Sequence, residues 1–180
     1  MKKSYTVEDV MQMECHAELI NGELVIIDYT TTKHNLAVTA IAYMLDMYIE
    51  NKGENYEVFT QNVALYCNEL SNYDNDFFLP DVMLVCDSNG IRDDGVHIVP
   101  GFIAEVTSEV TKENDYMQKL AVYTSIGVDE YWIVDIQRKL IVRYLKENDY
   151  RAEMLIYPNV SRINVHTCPG LEMDMSQIFE

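Results

Sequence analysis

Three short apolar runs constrain this chain most: Pro80 to Cys86, Phe102 to Val106 and Tyr131 to Asp135. Apart from single acids, each is continuously apolar instead of alternating, the pattern of a strand buried on both faces. Strands of that kind need cover on either side, so the sequence predicts an α/β (α+β) arrangement, a mixed β-sheet flanked by helices. The same runs carry acids. Asp81 stands at the start of the first, and Glu105 near the end of the second, four residues after Gly101. An acid set into a buried strand is costly unless a cation or hydrogen-bond donors satisfy it.

The remaining elements follow from local signals. Thr6 with Asp9 resembles a capping box ahead of Val7, Val10 and Met11, which predicts a short opening helix. Asn21-Gly22 tolerates positive φ at both centres of a type I′ turn, so Ala17 to Ile20 and Glu23 to Ile27 read as an N-terminal hairpin. Leu36, Ala37, Ala40, Ile41, Met44, Leu45, Tyr48 and Ile49 recur as one helical face until Gly53. Tyr56 to Tyr66 reads as a strand, and the Asn- and Asp-rich run from Asn68 to Asp76 as an exposed loop. A further helix is predicted from near Asn114, as its cap, to just before Gly127. Leu140 to Leu145 and Arg151 to Tyr157 form a closing hairpin, Asp174 caps a short terminal helix, and Trp132 and Tyr131 are core residues.

The 180 residues are 48% hydrophobic, without a repeat or a Pro/Gly/Ser-rich divide, and are expected to form one domain spanning 1–180. Neither a secretion signal nor a membrane span is read, and four widely spaced cysteines give no zinc or disulfide framework, so a cytoplasmic location is expected. The formal charge of −17 argues against tight binding of bare nucleic acid, which draws its affinity from Lys and Arg on phosphates.

Two acids on neighbouring strands make a hard oxygen site suited to Mg²⁺, which favours one or two carboxylates completed by water and substrate phosphate. In this setting PDVMLV (Pro80 to Val85), PGFIAEVTS (Pro100 to Ser108), Asp115, Lys119, Tyr123 and GVDEYWIVD (Gly127 to Asp135) form an ordered set. AELINGELV (Ala17 to Val25) and His34 extend it upstream. The set resembles the PD-(D/E)xK nuclease superfamily, and within it the Uma family of putative restriction endonucleases, from residue 17 to about 145.

The resemblance implies a restriction-endonuclease-like core and metal-dependent hydrolysis of phosphodiester bonds. Asp81 and Glu105 would hold Mg²⁺, or Mn²⁺ as a substitute, and a lysine would assist the attacking water. The superfamily lysine stands two residues after the second acid, where this chain has Thr107. The Uma pattern instead has a lysine on the following helix, four residues after an acid such as Asp115, which points to Lys119 as the third catalytic residue. Glu18, His34 and Asp115 are candidates for supporting the site or touching substrate. The expected partner is nucleic acid, DNA before RNA, with no membrane, and a homodimer suits cleavage of two strands. Phosphate contacts beyond the metal would come from Lys112, Lys119 and Arg92. Two other readings stay open: a non-catalytic interaction module that keeps the fold, favoured by the charge and Thr107, and a small-nucleotide phosphodiesterase, which needs no basic groove.

Overall fold

The structure is a computed structural model that describes residues 4–27, 29–70, 76–107 and 113–180, the last stretch without the side chains of 113–115. The first elements are helix α1 (Val7–Met11), strands β1 (Ala17–Ile20) and β2 (Glu23–Ile26), the long helix α2 (Thr32–Lys52), strand β3 (Glu57–Thr60) and the short helix α3 (Cys67–Leu70). Strands β4 (Val82–Val85), β5 (Ile91–Arg92), β6 (Gly95–Val96) and β7 (Phe102–Thr107) come next, then helix α4 (Glu113–Ile126). The chain closes with β8 (Glu130–Asp135), β9 (Leu140–Leu145), β10 (Glu153–Ile156), β11 (Arg162–Asn164), β12 (Glu172–Asp174) and helix α5 (Ser176–Phe179).

Six strands form the central sheet in the order β10-β9-β8-β7-β4-β3. Only β7 and β8 run parallel, and α4 is the crossover that such a pair requires. Side chains alternate across the sheet with a period of two. Val82, Leu84, Phe102, Ala104, Val106, Trp132 and Val134 pack on one side with α2. Met83, Val85, Ile103 and Tyr131 pack on the other with Val122, Tyr123 and Ile126 of α4. Glu105 shares the parity of Ile103 and so faces α4. The continuous apolar runs are thus explained by cover from helices on both faces.

The N-terminal signals act as read. Thr6 N donates to Asp9 Oδ2 at 2.9 Å while Asp9 N donates to Thr6 Oγ1 at 3.2 Å, closing the capping box. Asn21 and Gly22 both have positive φ, 52° and 73°, and join β1 to β2. Gly53 ends α2 and Gly127 follows α4 in the left-handed conformation, with φ of 67° and 88°. At the C-terminus Asp174 Oδ1 accepts from Ser176 N at 2.9 Å, but the N-cap of α5 is Met175, so Asp174 stands one residue before the cap instead of serving as it.

Several boundaries differ from the sequence reading. The strand read over Tyr56 to Tyr66 stops at Thr60, because Asn62 turns left-handed with φ of 67° and the chain leaves the sheet. The run read as an exposed loop begins in α3 and ends in Asp76, which is fully buried where Asn21 N donates to its Oδ1 at 2.7 Å. Leu36 is exposed, and the buried face of α2 takes His34 and Val38 instead. Asn114 lies inside α4 and does not cap it. The small pairs β5–β6 and β11–β12 had no counterpart in the sequence reading.

Candidate active site

β4 and β7 pair antiparallel with Val82 opposite Ala104, so Asp81, one step before β4, stands beside Glu105. The two are also joined through the backbone: Val106 N donates to Asp81 Oδ2 at 2.8 Å. His34, in the first turn of α2, brings Nε2 to the same oxygen at 3.1 Å. Gln61 Nε2 lies 3.4 Å from both Asp81 Oδ1 and His34 Nδ1. One tautomer satisfies these contacts, with the imidazole proton on Nε2 donating to Asp81 and Nδ1 accepting from Gln61.

Glu105 is buried, and two donors from α4 reach its Oε1: Lys119 Nζ at 3.0 Å and Tyr123 Oη at 2.8 Å. Lys119 Nζ also donates to Glu18 Oε1 at 2.8 Å, and that oxygen accepts from Leu79 N at 2.8 Å. The ammonium is buried between two buried carboxylates, with Phe78 beneath it at 5.5 Å. Helical spacing explains the convergence, since Lys119 and Tyr123 are one turn apart on the face of α4 that covers the sheet. The hairpin supplies the rest: β1 carries Glu18 in to meet the helix.

Burial pushes the Glu105 carboxyl up to about 7, and the charges of Asp81 and Glu18 push the same way, against the lowering effect of Lys119 and Tyr123. Lys119 is held above its ordinary value because its two carboxylate partners outweigh burial. Two carboxylates, Glu18 and Glu105, therefore meet one ammonium, and Asp81 stands beside Glu105. With the three carboxylates ionised, the four groups carry a net charge of −2, equal in magnitude and opposite in sign to that of one divalent cation.

Thr107 has the parity of Glu105, two residues further along β7, and its side chain hydrogen-bonds Tyr116 of α4. The ammonium beside Glu105 is that of Lys119, which reaches in from the helix. Of the other expected residues, the side chain of Asp115 and the whole of Lys112 lie outside the described residues. Arg92 sits in β5 beside Glu69 and His97, at 3.9 and 3.2 Å, and not in this cluster. Gln61 was missed, because its contact with Asp81 is made only when β3 and β4 pair. Glu130 was not singled out and is a structural acid, fully buried and bound by Trp132 Nε1 at 2.8 Å and Thr167 N at 3.0 Å.

The model of the Uma2 family, described as putative restriction endonuclease, matches residues 6–176. The chain belongs to this family. Its fold is also that of a solved structure, a putative nuclease belonging to DUF820 from Anabaena variabilis, with a TM-score of 0.71 at 15% identity over 97% of each chain. No curated protein matches the sequence. The shared family points to a nuclease and so to nucleic acid as the substrate class, and the shared fold carries the sheet and helices described above. Among the described residues no helix is long and apolar enough to cross a membrane.

Proposed function

We propose that this Uma2 protein is a metal-dependent endonuclease that hydrolyses phosphodiester bonds of nucleic acid, DNA before RNA, at a centre made by Asp81, Glu105 and Lys119. The observation that carries the reading is the buried Lys119 ammonium, held 3.0 Å from Glu105 and 2.8 Å from Glu18. A lysine committed to so costly a position needs a reason beyond stability, since buried ion pairs are often no more stabilising than apolar packing.

The donor set suits Mg²⁺. Among the described residues no three His, Cys, Asp or Glu side chains come together in a metal-binding group, whereas two strand carboxylates leave the rest of the shell to water and phosphate. Asp81 and Glu105 would hold the ion, and both net negative charges of the cluster favour it. When bound, the ion supplies charge neutralisation at the phosphate and makes water more acidic.

The chain's own groups do the rest. His34, Gln61 and Val106 N fix Asp81, so its orientation is set before substrate arrives. Glu105 must be ionised to act as a ligand, and Tyr123 donates to it in that state. Lys119 stays protonated through the neutral range and offers fixed positive charge to the negative charge developing on the attacked phosphate. Glu18 positions the ammonium.

The test is cleavage of labelled duplex, single strand and RNA by purified protein with Mg²⁺ or Mn²⁺. Cleavage is expected to vanish with chelator and to fall at least about 100-fold in Asp81→Asn, Glu105→Gln and Lys119→Met, the scale of losing a transition-state charge contact. Metal-independent cleavage, or full activity in Lys119→Met, overturns the assignment. The net charge of −17 favours one second reading, a phosphodiesterase for small nucleotides. Turnover of a dinucleotide without cleavage of any polymer would select it.

A further inference from the structure

Helix α2 presents two apolar faces, and only one of them is used. Its inner face packs on the sheet through Ala37, Val38, Ile41, Met44, Leu45 and Tyr48. On the outer face Leu36, Tyr43 and Met47 are 63%, 57% and 37% exposed, with Ala40 half-buried between them. The spacing along this outer line is alternately three and four: Lys33, Leu36, Ala40, Tyr43, Met47, Glu50. A strict 3-4 alternation is the seam of a helix that packs against another helix. Within the described residues nothing in the chain covers it.

We propose that this seam is a homodimer interface in which α2 of one protomer packs antiparallel on α2 of a second copy. The sequence of the seam is complementary to its own reverse. Antiparallel alignment about the point between Ala40 and Tyr43 sets Leu36 opposite Met47 of the second copy and Ala40 opposite Tyr43. Each large side chain therefore meets an aliphatic or small one. The ends match as well: Lys33 meets Glu50 of the second copy, and by symmetry this happens twice. A parallel pairing would instead set Lys33 against Lys33 and Glu50 against Glu50, so charge selects the antiparallel arrangement. A twofold contact has this property, that the same patch serves both partners.

The seam runs over 18 residues, about 26 Å at 1.5 Å per step, which makes a narrow contact compared with a standard interface of about 1,600 Å². Association on the order of micromolar is the corresponding expectation. The inference is independent of the nuclease reading, because the seam lies on the side of α2 away from the sheet and none of its residues touches Asp81, Glu105 or Lys119.

Sedimentation of the full chain at about 100 µM and moderate salt is expected to give twice the 20.9 kDa monomer mass, and dilution should dissociate it. Leu36→Glu and Tyr43→Glu should each yield monomer that melts as the dilute, dissociated wild type does, since both side chains are exposed in the monomer. Met154→Glu, on the exposed edge strand β10, should remain dimeric. Lys33→Glu should weaken association at least about tenfold, and adding Glu50→Lys should restore it, because the exchanged charges again face one another. A wild-type chain that is monomeric at this concentration overturns the proposal. So does a dimer that survives Leu36→Glu and Tyr43→Glu, or a charge-swapped pair that fails to recover.

Discussion

Glu105 is the residue whose chemistry depends most on where it is buried. Its carboxyl is pushed up from 4.5 to about 7, so between those values the folded chain binds a proton that the unfolded chain has released. Stability from this group is therefore greatest at low pH and declines as pH rises from 4.5 towards about 7. Metal binding runs the other way, because the ion competes with that proton. Calorimetric affinity for Mg²⁺ or Mn²⁺ should rise about tenfold per pH unit below 7 and level off above it. Saturating metal, at about 100 times its dissociation constant, should add about 2.7 kcal/mol of stability, and Asp81→Asn with Glu105→Gln should abolish both effects. Unchanged binding in that double variant would remove both residues from the site.

Lys119 makes a separate prediction at the same scale. Its removal leaves Glu18 and Glu105 buried without their counter-charge, a loss of about 3 kcal/mol in the metal-free protein. Lys119→Met should be more damaging at pH 8 than at pH 6, where Glu105 can take up a proton and relieve the repulsion. Glu18→Gln should rescue part of the stability of Lys119→Met but none of its activity. Denaturant midpoints at the two pH values measure this, and a loss independent of pH would mean that the pair is not electrostatically coupled.

Among the elements, the glycines separate backbone conformation from crowding. Gly53, at the end of α2, has φ of 67° and open space where a Cβ would point, so Gly53→Ala meets only the left-handed penalty, about 1 kcal/mol. Gly95 begins β6 with φ of 148°, and a Cβ there would stand 2.6 Å from Ala64 O, a backbone atom that cannot rotate away. Gly95→Ala should cost about 2 kcal/mol or more, since backbone must shift as well. Equal melting temperatures for the two variants would contradict this difference. The hairpin of β1 and β2 was readable because Asn21-Gly22 admits few other conformations. The early end of β3 was not, since a left-handed Asn62 amid β-forming residues has no strong local signal.

Over the whole molecule, acidity governs how any polyanion is met. Thirteen Lys and Arg face thirty Asp and Glu, and among the described residues several of these cations already stand beside acids. Lys119 is paired with two acids, Arg143 with Glu153, Arg138 with Asp135, Arg162 with Glu172 and Lys146 with Asp129. With acids outnumbering cations by seventeen, binding of Lys119→Met protein to duplex DNA in Ca²⁺ should depend weakly on salt. The slope of log K against log salt is expected to be shallower than about −4, at roughly −0.9 per phosphate contacted, with binding lost on chelation. A slope near −8 would reveal a basic groove, and the acidic-surface argument would fail.

The sequence by itself determined the covered sheet, the hairpin, the two long helices and the two strand acids, because each rests on a periodicity or a turn preference that acts over a few residues. It also pointed to Lys119, but only by resemblance to a family. What the tertiary structure alone decided is which groups meet. Strand parity turns Glu105 towards α4, the hairpin carries Glu18 to the same ammonium, the pairing of β3 with β4 brings Gln61 to Asp81, and the packing of α2 on the sheet brings His34 there. These contacts join residues up to 101 positions apart, and no local preference encodes them. The same holds for Leu36, whose place in a helical pattern was legible while its exposure was not. Periodicity says that a face is apolar, but only the packed fold says whether anything within the chain covers it.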